Sequence, residues 1–343
     1  MRFVWKILFE KIPSRRSWQP KRILVHRYGN IGDMVVAIPA LVALRKRFPN
    51  AHITLLTSPG SEKAKHAGAR EILSNSPLFD EMMVYHTEDL HNRARLKETM
   101  KRIRGGNYDL LVALTNAAYP IRKLLREMVF FRLCGIKKSI GWQYVMPPYW
   151  LRSFARGLKF EPQAKRLLSV ISPLGIDPNF VEYHLTGSEE DAKWAEETVS
   201  QLRKRVNKII VIHPGGKRET TKWFVERYAQ LASRILKEFP ETMILVTGGK
   251  DDREAGNQIA SVDSSRTTNL AGSIGWGQFI ELLRRVDLVV SNDSGGAHIA
   301  AATTTPLVAI YGQRNFCRKW DPIGNACIIV VKSSPLPCEG CSR

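Results

Sequence analysis

KRILVHRYGNIGDMVVAIPALVALRKRF, residues 21–48, is the stretch on which the fold turns. KRILVHR (21–27) is a short apolar run and predicts a buried strand. GNIGD (29–33) follows, with two glycines that let the backbone turn sharply. MVVAIPALVALRKRF (34–48) then predicts a helix. HITLLT (52–57), EMMVYH (81–86) and YDLLVALT (108–115) predict three further strands. Strands alternating with helices of this length imply an α/β protein, built of parallel βαβ units with helices on both sheet faces. The rhythm pauses at SPLGIDPNFVEYHLTGSEED (172–191), a passage punctuated by Pro, Gly and Asp. It restarts with KIIVIHPGG (208–216), TMILVTGG (242–249), DLVVSNDSGG (287–296) and PLVAIYG (306–312). A boundary near 180 therefore separates two α/β halves, 21–180 and 181–343, preceded by a basic segment over 1–20. Open α/β sheets bind ligands beyond the carboxyl ends of their strands, so each loop after a strand is a candidate wall of a cleft between the halves.

The length, 343 residues, suits two domains with substantial cores. Hydrophobic residues at 44% and charged residues at 24% exclude wholesale disorder, collagen and a coiled-coil rod. The formal charge of +20 is unevenly spread. Residues 1–180 hold 31 basic and 13 acidic side chains, a balance of +18, whereas 181–343 hold 21 and 19, a balance of +2. A cationic half calls for a polyanionic partner: nucleic acid, an anionic membrane surface or a phosphorylated substrate. Residues 1–22 interleave seven basic side chains with Phe3, Trp5, Ile7, Leu8, Phe9 and Ile12, the pattern either of a helix lying on an anionic bilayer or of a helix docked on the domain. Residues 121–160 add nine basic, one acidic and eight aromatic residues. No apolar run reaches the roughly 20 residues of a membrane span, and no signal-peptide pattern opens the chain, so a cytoplasmic location is expected. Five cysteines (Cys134, Cys317, Cys327, Cys338 and Cys341) make a poor disulfide framework. Cys338 and Cys341 form a lone C-x-x-C without a second pair, so no metal site is expected.

Three loops carry the chemistry. In Arg27-Tyr28-Gly29-Asn30-Ile31-Gly32-Asp33, Asp33 stands near a helix start, as a cap or as a base. The segment is neither a dinucleotide fingerprint nor a Walker loop. In His213-Pro214-Gly215-Gly216 and the following Lys217–Trp223, glycine amides and a lysine at a helix start suit phosphate oxygens, although a solvated loop would read the same way. In Ser291-Asn292-Asp293-Ser294-Gly295-Gly296-Ala297-His298, small residues at a helix N-terminus expose amides toward an anion. His298 lies one turn inside that helix, facing either the mouth or the core. There is no D-x-D pair to hold a diphosphate through Mg²⁺, so helix dipoles, amides and Lys are left to neutralise its charge. No G-x-S-x-G hydrolase elbow is present either.

Together, RYGNIGDMVVAIPAL, HPGGKRETTKWF, VTGGKDD, NLAG and SNDSGGAHIAAA resemble glycosyltransferase family 9, the ADP-heptose:lipopolysaccharide heptosyltransferases, over about Lys21 to Cys341. The resemblance implies a GT-B fold of two Rossmann-like domains, acceptor on the first and nucleotide-sugar on the second. It implies inverting single displacement, without a cofactor, from ADP-heptose onto an anionic glycolipid core at the cytoplasmic face of the membrane. By resemblance Asp33 is the general base, and Gly29, Asn30 and Gly32 form the acceptor side of its loop. Lys222 meets the donor phosphate beside Gly216. The amides of Ser294, Gly295 and Gly296 form the diphosphate cradle, and Asp293 and His298 match the family's donor-binding motif around it. Asp252 lies near the ribose position and Ile274 near the adenine pocket. The resemblance implies a closing helix beyond the region of Cys341, whereas this sequence stops at Arg343: either it is trimmed, or the basic N-terminal segment does part of that work. Two rival readings stand beside this one: a related transferase using another nucleotide-sugar in O-antigen or capsule assembly, and a non-catalytic nucleotide-binding scaffold. Retention of both Asp33 and Lys222 argues against the scaffold. An NAD-dependent oxidoreductase lacks its glycine fingerprint, and neither basic stretch carries a nucleic-acid motif.

Overall fold

The computed structural model describes residues 8–10, 18–60, 68–74, 76–115, 121–142, 161–312 and 318–332. Most of the 1–20 segment, residues 143–160 of the basic aromatic stretch, and Cys317, Cys338 and Cys341 lie outside the described residues. The chain divides into two compact units: among the described residues, the second takes in 161–162 and those from Leu185 onward.

In the first unit β1 (Arg22–His26), β2 (His52–Thr57), β3 (Glu81–Val84), β4 (Leu110–Ala113) and the two-residue β5 (Ser139–Ile140) form a sheet in the order β3-β2-β1-β4-β5. Every pairing is parallel. Parallel strands covered on both faces read as continuous apolar runs, and β4 is buried at all four positions. The helix expected over 34–48 is two helices. α1 (Ile31–Val35) starts three residues earlier, at the turn, and α2 (Ile38–Arg47) follows with Pro39 in its first turn. A proline lacks the N–H that a continuous helix would need at this point but is tolerated in a first turn, so the helix ends and restarts before it. Asp33 therefore lies inside the first helical turn rather than ahead of the helix. Among the described residues the unit's further α-helices are α3 (Ala69–Leu73), α4 (Arg93–Gly105), α5 (Ile121–Leu133) and α6 (Gln163–Ile171). Leu24, Leu56, Leu111, Leu124, Met128 and Phe131 belong to one of its buried clusters.

The second unit repeats the plan with six strands among the described residues. They are β6 (Lys208–His213), β7 (Thr242–Val246), β8 (Thr267–Asn269), β9 (Leu288–Asn292), β10 (Leu307–Tyr311) and β11 (Ile328–Lys332), in the order β11-β10-β9-β6-β7-β8 and again all parallel. Its helices are α7 (Glu189–Arg203), α8 (Val225–Glu238), α9 (Arg253–Ala260), α10 (Trp276–Leu283) and α11 (Gly295–Ala302). α8 turns Tyr228, Ala232 and Leu236 inward at helical spacing, onto Ile212, Ile244 and Val246 of the sheet. No helix among the described residues is long and apolar enough to cross a membrane.

Candidate active site

The first unit's site is built on the turn after β1. Gly29 has φ +134° and its N–H donates to the Ser58 carbonyl at 3.0 Å. A Cβ there would stand 2.5 Å from Asp33 Cβ, so glycine is required both by conformation and by the closeness of the carboxylate. Asp33 Oδ2 accepts the Asn30 N–H at 3.1 Å. Beneath it lies Arg27, wholly buried. Its Nε and Nη2 donate to the Asp33 carbonyl at 3.0 and 2.7 Å, its Nη1 donates to the Leu114 carbonyl at 2.9 Å, and Nη2 lies 3.5 Å from Asp33 Oδ1. A buried guanidinium that satisfies backbone carbonyls on two elements fixes where the Asp33 carboxylate points. The sequence reading missed this role of Arg27. Its signal was a charged residue closing an apolar strand immediately before a glycine turn.

The second unit's site forms at the carboxyl ends of β6, β7 and β9. Asp252 Oδ2 accepts the Gly249 N–H at 2.9 Å, and its Oδ1 lies 3.5 Å from Lys222 Nζ. Lys222 Nζ also pairs with Glu219 Oε1 at 2.9 Å. Burial opposes the ammonium charge, but Glu219 and Asp252 outweigh it and hold the pKa of Lys222 above its ordinary value. A Cβ on Gly216 would stand 3.3 Å from Lys222 Cγ, and one on Gly215 would stand 2.6 Å from Asp252 Oδ2, so both glycines are packed against the charged pair. The loop bearing Ile274 reaches the same place: the Gly272 N–H donates to the Gly248 carbonyl at 3.0 Å, and Ile274 is half-buried beyond it. Ser294 stands at the N-cap position of α11 without a side-chain capping bond, its Oγ 3.3 Å from Ser291 Oγ, and Gly295 and Gly296 are the first two helical residues. First-turn amides have no partner within a helix and carry its positive pole. A cavity of about 280 Å³ opens beside Lys222, lined in part by Thr220, Thr221, Tyr311 and Gly312.

His298 faces the interior. It is buried with its ring edge-on to Trp320 at 6.2 Å, and burial pushes its pKa down to about 4, so it is neutral at pH 7. Asp293 is held by its own N–H, which donates to the Ile310 carbonyl at 3.2 Å. The residue that ties these loops together is Asn292, which the sequence reading passed over. Fully buried, it accepts the Trp223 N–H at 2.9 Å and the Tyr228 hydroxyl at 2.8 Å, and its Nδ2 donates to the Pro214 carbonyl at 2.6 Å. One amide thus fastens the glycine loop, the Lys222 segment and the start of α8 to the end of β9. Among the described residues no group of three His, Cys, Asp or Glu side chains could hold a metal ion.

The sequence profile of glycosyltransferase family 9 (heptosyltransferase) matches residues 96–342, well over half of the chain. The chain belongs to glycosyltransferase family 9. The protein is accordingly a glycosyltransferase. It is 25% identical over 305 residues to lipopolysaccharide heptosyltransferase 3 of Escherichia coli, covering 84% of this chain and 83% of that one. Its fold is that of a family 9 glycosyltransferase from Veillonella parvula, with TM-score 0.68, 23% identity, and 91% and 86% of the two chains covered. The ADP-heptose lipopolysaccharide heptosyltransferase II of E. coli gives TM-score 0.64, 21% identity, and 90% of each chain covered. The family 9 transferase thus has the two parallel-sheet α/β units expected of GT-B architecture.

Proposed function

We propose that this family 9 transferase moves heptose from ADP-heptose to the core of a lipopolysaccharide, with inversion and without a metal ion or cofactor. The observation that carries the donor half is the convergence of Lys222, Asp252, Gly215, Gly216 and the α11 N-terminus at the carboxyl ends of the strands of one sheet. It offers a lysine, a helix pole and uncommitted amides to a diphosphate, and a carboxylate to ribose hydroxyls. Relatives named for heptose transfer to lipopolysaccharide, and for ADP-heptose, support the choice of sugar and acceptor.

In the reaction an acceptor hydroxyl oxygen attacks the anomeric carbon as the bond from that carbon to the diphosphate oxygen breaks. Asp33 takes the hydroxyl proton, with Gly29, Asn30 and Gly32 shaping the acceptor side of its loop. Charge grows on the departing ADP, where Lys222 and the amides of Ser294, Gly295 and Gly296 stabilise it. Ile274 packs at the adenine. Asp293 and His298 keep the cradle's shape. The cationic first half fits an anionic, phosphorylated glycolipid at a membrane surface, and nucleic acid is not a partner.

The test is incubation with ADP-heptose and a series of truncated lipopolysaccharide cores, with products weighed by mass spectrometry. A heptose increment on one core, unchanged by EDTA, is expected. Failure on every core, together with turnover of another nucleotide-sugar, would move the enzyme to O-antigen or capsule assembly.

A further inference from the structure

His213, the last residue of β6, has no part in the mechanism above. Its side chain is buried, 6% exposed, and its ring lies 5.1 Å from that of Phe279, tilted by 35°. Nδ1 lies 3.1 Å from the hydroxyl of Thr247, itself fully buried at the end of β7. The other nitrogen, Nε2, has no hydrogen-bond partner among the described residues. Its surroundings can be read from the two glycines beside it. A Cβ on Gly296 would stand 2.6 Å from His213 Cδ2 and 2.8 Å from Nε2, and one on Gly215 would stand 3.2 Å from Nε2. The imidazole edge therefore lies between the glycine loop and the first turn of α11, beside the amides assigned to the diphosphate. Burial pushes the His213 pKa down to about 4, with Asp252 opposing, so the ring is neutral at pH 7. A neutral imidazole donates from one nitrogen only, and the partner of the other nitrogen selects which. A Thr247 hydroxyl donating to Nδ1 leaves the proton on Nε2, aimed at the cradle.

We infer that His213 is a donor-binding residue: its Nε2–H, set by Thr247, donates to a phosphate oxygen of the nucleoside diphosphate bound between Gly215 and Gly296. This rests on the donor reading above and adds to its lysine and backbone amides a side-chain donor from the end of β6. It also accounts for glycine at 296, since any side chain there would displace the ring.

The test is calorimetric titration of the full-length protein with ADP and, separately, adenosine. His213→Phe keeps a flat ring but removes the donor, and is expected to weaken ADP roughly 10- to 100-fold, the value of a hydrogen bond to a charged group. Adenosine affinity should stay within about twofold, because it has no phosphate. His213→Gln, whose amide nitrogen reaches the Nε2 position, should recover most of the ADP affinity, and Thr247→Val should weaken ADP in the same direction as His213→Phe. ADP binding to His213→Phe at wild-type strength would overturn the inference, as would equal losses for ADP and adenosine, which mark a merely structural ring. Absence of ADP binding in the wild-type protein would instead sink the donor reading itself.

Discussion

Asp33→Asn separates chemistry from structure more cleanly than any other single change. The carboxylate accepts the Asn30 N–H at 3.1 Å, and an amide oxygen can accept the same bond. The anchor below it is unaffected, because Arg27 holds the Asp33 backbone carbonyl at 3.0 and 2.7 Å and touches the carboxylate only at 3.5 Å. The structural cost is therefore that of a weakened first-turn contact, about 0.5–1 kcal/mol, or a few degrees in Tm for a unit of this size. The catalytic cost is larger. An amide cannot take the acceptor's proton, and a positioned base contributes about 10²–10⁴ in rate, or about 2.7–5.5 kcal/mol at 1.36 kcal/mol per tenfold. ADP release in the presence of acceptor, with the glycosylated product confirmed by mass, measures kcat, and calorimetry with ADP measures donor affinity. The expected result is a collapse of kcat with Tm and ADP affinity nearly unchanged. Turnover within tenfold of wild type would remove Asp33 from the mechanism, and a large loss of Tm would mean that Arg27 depends on the carboxylate and not on the carbonyl.

Lys222→Ala should weaken ADP binding and lower kcat together, since the ammonium faces charge that grows on the leaving group, while EDTA should leave the activity of wild type and of variant each unchanged; activity lost in EDTA and restored by a divalent cation would refute the metal-free route. Asn292→Ala strands the Tyr228 hydroxyl, the Pro214 carbonyl and the Trp223 N–H. At about 1–3 kcal/mol per buried group left unpaired, urea unfolding should show a loss of about 3–5 kcal/mol, and a loss under 1 kcal/mol would disprove the clamp. Stability should also fall on acidification. Burial pushes the pKa of His213 and His298 down to about 4 and that of His26 down to about 3, so at pH 5 the unfolded state binds protons that the folded state refuses. Each costs about 2 kcal/mol at pH 5 relative to pH 7.5. Glu127, pushed up to about 7 by burial, works the other way and returns about 2 kcal/mol over the same interval. A net loss of about 3–4 kcal/mol is expected by pH 5, steeper in Glu127→Gln, and a Tm that is flat from pH 7.5 to 5 would contradict it.

The alternation of strand and helix was legible from residues 21–48 onward because hydrophobic periodicity and glycine punctuation are local properties of a chain. So were the three loops, each placed directly after an apolar strand, and the positions of Asp33 and Lys222 within them. Strands such as β5, two residues long, and β8, three, are too short to show a period, and tertiary pairing alone creates them. The break between α1 and α2 was written in Pro39, but an apolar pattern running through it concealed the break. What only the tertiary structure decided is which loops meet. In the second sheet β6 lies between β7 and β9, with His213 opposite Ser291 and Ile212 opposite Val246. That order sets the ends of three strands side by side, so Asn292 can reach Pro214, Thr247 can reach His213, and Gly296 can lie against the imidazole. These partners are 34 to 83 positions apart in sequence. No local propensity encodes such a meeting, because it depends on how parallel strands are ordered when their two faces are buried together, and the burial of Arg27 beneath Asp33 has the same origin in the pairing of β1 with β4.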